Sequence, residues 1–186
     1  PNLQSFLEIL DVTIKGLYEL KIKNITIDFT LPAISRYLGK TVNFKKKDGL
    51  VIKEALDNKN SSLIKNKKYN YIKDIIELSG PLEKVKNNFK GKKFPKPIKL
   101  MVENFFKTVS SIKKKHPSLS LTLDITEAQS FLKYKDLAFK IYNKESAEAI
   151  AIGGNYEVNN KETGVGTTIM LNKIINSIII KKANRI

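Results

Sequence analysis

The chain has 186 residues, 41% of them apolar, enough for one domain with its own core, and it carries a formal charge of +16. It has no cysteine and a single histidine, which excludes disulfide staples, cysteine nucleophiles, thiolate metal sites and histidine-based metal centres. Only Arg36 and Arg185 of its 34 basic residues are arginine, so the charge is a lysine field that attracts polyanions without the planar forks of a dedicated nucleic-acid reader.

Pro1 to Gln4 lacks the basic and apolar regions of a secretory signal. The longest apolar run, Ile178-Ile179-Ile180, is far too short to span a bilayer, so the expected setting is the cytoplasm. Leu3, Phe6, Leu7, Leu10, Ile14, Leu17 and Tyr18 recur at helical spacing and predict a first helix with one apolar stripe. Ile25, Ile27 and Phe29 then alternate with Thr26, Asp28 and Thr30, the period of a half-buried strand. Leu31 to Leu38 reads as a short helix stopped by Gly39.

Between about Thr41 and Lys115 the texture is helical. Patterns over Leu50–Leu56 and Tyr71–Leu78 are broken by Gly80-Pro81, and a lysine- and proline-rich loop runs from Lys90 to Pro97. Ile98, Met101, Val102, Phe105, Phe106, Val109 and Ile112 form the clearest amphipathic helix, an aromatic stripe expected in the core. After His116-Pro117 the period falls to two: Leu119, Leu121, Leu123 and Ile125, then Leu137, Phe139 and Ile141, then Ala147–Ile152 and Val165–Leu171. Short connections between these runs favour antiparallel pairing, and a closing helix runs from Leu171 to about Lys181. The expected fold is a single α+β domain over 1–186: an antiparallel sheet flanked by helices, with residues 41–115 as a helical insertion.

Few residues suggest chemistry. His116 before a proline is a loop residue in the ordinary case. Gly164-Val165-Gly166-Thr167-Thr168 lacks the lysine of a phosphate-binding loop, and its glycines suit the close approach of another backbone or a ligand. Asp28, Thr122, Asp124 and Gln129 lie on or just after strands with an apolar other face. Such residues usually face water, but with helices on one side only they could form a polar ligand-binding trough.

The last third carries a recognisable succession. Leu121-Thr122-Leu123-Asp124 leads through Gln129 to Tyr134, and Phe139-Lys140-Ile141 follows. Then come Ala149-Ile150-Ala151-Ile152-Gly153-Gly154-Asn155-Tyr156-Glu157 and Thr163-Gly164-Val165-Gly166-Thr167-Thr168-Ile169-Met170-Leu171-Asn172-Lys173-Ile174. In order and spacing this resembles the end of the class II catalytic domain of histidyl-tRNA synthetases, and of the degenerate paralogue that serves as regulatory subunit of ATP phosphoribosyltransferase. The likeness is specific over roughly 118–176 and architectural before that.

The resemblance implies a histidine-like pocket lined by Asp124, Gln129, Tyr134, Gly153 and Gly154, with Gly166 and Lys173 in the motif 3-like segment. It also implies that the chemistry has been lost. Gln129 stands where the histidine-binding arginine would be, Lys133 at the first of two tyrosines and Asp136 at a glycine. Asn155 and Glu157 replace an arginine and an aspartate in what reads as a glycine turn, and Lys173 replaces the motif 3 arginine that contacts ATP. No stretch resembles motifs 1 and 2. Adenylate formation depends on arginines that clamp phosphates, so no catalytic residue and no cofactor is expected. Three readings stay open: a histidine-sensing regulatory subunit that associates with the short-form catalytic subunit, a paralogue that binds tRNA or other RNA weakly through its lysines, and a fragment of a longer protein.

Overall fold

The structure is a computed structural model and describes residues 3–127, 133–145, 147–158 and 162–176. Helix α1 (Leu3–Glu19) buries Phe6, Leu10, Ile14 and Leu17 on one stripe, each contributing about 1.5–3 kcal/mol of burial, while Leu3 lies exposed at its start. Strand β1 (Ile25–Thr30) follows, then α2 (Pro32–Leu38), entered through a proline whose missing N–H costs nothing at that position. Gly39 does not stop this helix. It is right-handed, and the chain runs on through a π-helical turn over Gly39–Asn43 before reversing at Asn43, whose φ is 58°. Gly39 is small for packing: a Cβ there would meet the Phe44 ring at 3.1 Å.

Helices α3 (Lys47–Asp57) and α4 (Asn70–Ile76) occupy the expected positions, joined by two short 3-10 turns. Gly80-Pro81 ends the helical pattern but is itself in a strand, β2 (Ser79–Pro81), whose proline is tolerated at a sheet edge. Helix α5 (Leu82–Phe89) escapes sequence reading because only Leu82 and Val85 of its eight residues are buried. Helix α6 (Lys96–Lys115) buries Ile98, Val102, Phe105, Phe106, Val109 and Ile112, as its periodicity predicts.

Strands β3 (Ser120–Asp124), β4 (Tyr134–Asn143), β5 (Glu148–Glu157) and β6 (Thr163–Ile169) complete one six-stranded sheet in the order β2-β3-β1-β4-β5-β6. The β4–β5 and β5–β6 pairs are antiparallel as expected. The sheet is nevertheless mixed: β3 does not pair with β4 but runs parallel to β1, which separates the two. The long helical connection from β1 to β3 makes that parallel neighbour possible. Residues 171–176 are helical, and the rest of the expected closing helix lies outside the described residues.

Helix α1 lies over the β5–β6 side of the sheet, and its Phe6 reaches Phe139 of β4 edge-on at 5.7 Å. Thr13 Oγ1 donates to the Ile9 carbonyl at 2.8 Å and lies 3.1 Å from Thr167 Oγ1. One continuous apolar core joins the inner face of the sheet to helices α1 to α6. Its sheet side is built from Ile25, Ile27, Phe29, Leu121, Leu123, Phe139 and Ile141. The alternate residues of the same strands therefore form a second, polar face.

Candidate functional site: the polar face of the sheet

Register alone sets the layout of this face. Thr122, Asp28, Lys140, Ile152 and Thr168 lie opposite one another in a row across β3, β1, β4, β5 and β6. The neighbouring row carries Ala138, Gly154 and Gly166, and beyond it Tyr134, Tyr156 and Gly164 stand in register. The face has an acidic end on β1 and β3 and a tyrosine–glycine end on β4, β5 and β6.

At the acidic end Thr122 Oγ1 donates to Asp28 Oδ1 at 2.5 Å. Burial pushes the Asp28 carboxyl above its ordinary value; the Thr122 bond opposes this, the Asp124 charge adds to it, and Lys140 and Lys59 pull it back. Asp124 Oδ1 accepts from Lys59 Nζ at 2.7 Å, and the same ammonium lies 2.7 Å from Thr126 Oγ1. Lys59 makes this reach from just beyond α3, with a left-handed φ of 53°. The Tyr142 hydroxyl is pushed up by burial and then by the charges of Asp28, Glu127 and Asp124. Thr30 is buried and donates to the Glu127 carbonyl at 2.7 Å, pinning the chain just after Asp124.

At the other end the glycines make the geometry possible. Gly153 and Gly154 do not form a turn; they sit inside β5, opposite Phe139 and Ala138 on one side and Thr167 and Gly166 on the other. A Cβ on Gly153 would point into the core, 2.5 Å from the Phe139 ring. A Cβ on Gly154 would run into the neighbouring strand β4, 2.5 Å from the Leu137 carbonyl oxygen. The ring of Tyr156 lies over the β6 glycines: a Cβ on Gly164 would meet it at 2.8 Å and one on Gly166 at 3.3 Å. The close approach expected of those glycines is made by this ring. Burial pushes the Tyr134 phenol up, and the facing Tyr156 adds to it. Lys135 pairs with Glu157 at the end of the ladder.

The residues singled out from sequence are thus only partly gathered. Asp124, Tyr134, Gly154 and Gly166 share the polar face, Asp124 at its acidic end. Gly153 contributes backbone from the core side. Lys173 lies apart, its Nζ 2.5 Å from Glu148 Oε1, and Glu148 opens β5 six residues before Gly154, about 20 Å along an extended strand. Gln129 lies outside the described residues. Asn155 has a buried Oδ1 with no hydrogen-bond partner among the described residues, an arrangement that costs about 1–3 kcal/mol.

Lys140 and Tyr142 were legible as polar-face residues, because they alternate with Phe139 and Ile141. Lys59 carried no such signal, since its partner Asp124 is 65 residues away. Among the described residues no group of three or more acidic or histidine side chains is placed to hold a metal ion. No helix among them is long and apolar enough to cross a membrane.

A mostly antiparallel six-stranded sheet with helices packed on one face and a polar, glycine-lined opposite face is the architecture of a class II aminoacyl-tRNA synthetase catalytic core. The histidyl-tRNA synthetase family model matches residues 1–174, and the chain belongs to that family. It is 38% identical over 69 residues to the ATP phosphoribosyltransferase regulatory subunit of Thermotoga maritima, a stretch covering 37% of this chain and 25% of that one. It is 23% identical over 169 residues to the protein of the same name from Gluconobacter oxydans, covering 89% of this chain and 44% of that one. A chain of the ATP phosphoribosyl transferase (HisG:HisZ) complex from Thermotoga maritima superposes with a TM-score of 0.69 at 26% identity, over 91% of this chain and 62% of the other. The chain therefore spans less than two thirds of each of these relatives.

Proposed function

We propose that the chain is a non-catalytic member of its family, a regulatory subunit that associates with the catalytic subunit of ATP phosphoribosyltransferase in histidine biosynthesis and senses histidine on the polar face of its sheet. The observation that carries this reading is the selective loss of arginine. The fold-building glycines and Tyr134 are kept, while Asn155 and Lys173 occupy arginine positions and Lys173 is engaged with Glu148. A lysine keeps the charge but not the bidentate fork that phosphate clamping uses. Relatives named as regulatory subunits support the same assignment. In this reading the ligand contacts are Gln129, Tyr134 and the Gly153-Gly154 backbone, Asp124 supports them, residues 41–115 are an insertion into one family domain, and the protein works in the cytoplasm.

Titration calorimetry with histidine tests the sensor, with Tyr134→Phe as the companion variant. Saturable heat that weakens in the variant is the expected result. Silence at millimolar histidine would remove the sensing role, and failure to co-purify with the short-form catalytic subunit would remove the partnership.

A further inference from the structure

Away from the polar face, α5, the loop after it and α6 enclose a groove of about 490 Å³. Lys86, Lys90, Lys92, Lys99 and Lys107 line it, against a single carboxylate, Glu103. Phe89 and Phe106 supply its apolar surface; their rings meet edge-on at 5.3 Å, and Phe94 stacks on Phe89 at 5.0 Å. Part of the charge is already answered: Lys86 pairs with Glu83 at 3.0 Å, Lys92 with Asp74 at 2.6 Å, and Lys99 with Glu103 at 3.9 Å. Lys90 meets only Asn87, at 3.4 Å, and Lys107 has no carboxylate partner among the described residues. Two ammonium groups without a carboxylate partner among the described residues thus line the groove, one just after α5 and one on α6, together with the half-buried Phe89 ring.

We propose that this groove binds a nucleoside phosphate, its phosphates held by Lys90 and Lys107 and its base against Phe89. Ammonium groups alone attract any anion, but lysines lining a groove with an aromatic surface favour an anion that also carries a flat apolar part. The volume suits one nucleotide. The site is independent of the sensing role assigned to the sheet.

The test is equilibrium binding of a fluorescent ATP analogue to the chain, with unlabelled ATP, inorganic tripolyphosphate and single-stranded oligoadenylate as competitors. ATP should displace the probe, tripolyphosphate should do so about tenfold less well, and the Lys90→Ala/Lys107→Ala double variant should weaken binding by about tenfold or more. Phe89→Leu should weaken ATP but leave tripolyphosphate unchanged, with a melting curve confirming the fold. Equal competition by tripolyphosphate would overturn base recognition, and oligoadenylate binding without ATP binding would make the groove an RNA surface. Loss of binding in Lys173→Ala but not in the groove variant would move the nucleotide to the sheet and refute the proposal.

Discussion

Replacing Gly154 with alanine isolates the reason for the paired glycines in β5. Gly154 has a φ of 153°, a conformation an L side chain rarely adopts, and holding alanine there costs about 1–3 kcal/mol. The new Cβ would also lie 2.5 Å from the Leu137 carbonyl oxygen and 2.7 Å from Ala138 Cα. Both are backbone atoms of a paired strand and cannot swing aside, so relief requires β4 and β5 to separate, adding about 1–3 kcal/mol. The sum, about 2–6 kcal/mol, is a large share of the roughly 5–15 kcal/mol that stabilises a typical domain. Urea unfolding followed by circular dichroism should show the midpoint falling by about 0.7–3 M at a slope of about 2–3 kcal/mol per M. Gly16→Ala supplies the control with the opposite sign. Gly16 is exposed inside α1 with nothing within 4 Å of a Cβ, so alanine there should stabilise by about 0.5–1 kcal/mol. A Gly154→Ala protein within about 1 kcal/mol of the parent would refute the reasoning.

Other expectations concern packing and charge. Gly153→Ala should destabilise, and adding Phe139→Leu should recover part of the loss by removing the ring tip 2.5 Å away; the Gly166 carbonyl at 2.7 Å keeps recovery incomplete, and a double-mutant cycle in denaturant reads the coupling. Asp11 is a buried residue of α1, where burial raises its carboxyl but bonds from Lys15 and Lys115 outweigh it, leaving it below the ordinary 3.8. Its folded value is lowered, so its stabilisation is present above 3.8 and lost as pH falls below it; Asp11→Asn should lower the thermal midpoint at pH 7 and converge with the parent in strong acid. Asp28 runs the other way. Its folded value is raised, so the native state holds the proton more tightly and stability falls as pH rises from about 3.8 through the folded value. Asp28→Asn, which can still accept from Thr122, should raise the midpoint at pH 7 and show little gain in acid; a lower midpoint at pH 7 would contradict the assigned burial cost.

The elements with one apolar stripe were legible in the sequence. The periods of α1, α6 and the ladder strands follow from side-chain spacing, which is local, and the family succession from Leu121 to Ile174 is itself a string of residues. The sequence equally marked Asp28, Thr122 and Asp124 as polar residues on strands, though not what they would meet. His116, read as a loop residue, proves to bring its Nε2 within 2.9 Å of Asp11 Oδ1, a contact between residues 105 positions apart that no spacing rule encodes. The same limit hid the insertion of β1 between β3 and β4, the reach of Lys59 to Asp124, and the Gly153-Gly154 pair as strand rather than turn. Strand order depends on which hydrogen-bonding edges meet after the helices pack, and that is settled by contacts across the whole chain. The local pattern determined which residues face away from the core. Only the assembled sheet decided that they face one another, and that Lys173 lies elsewhere.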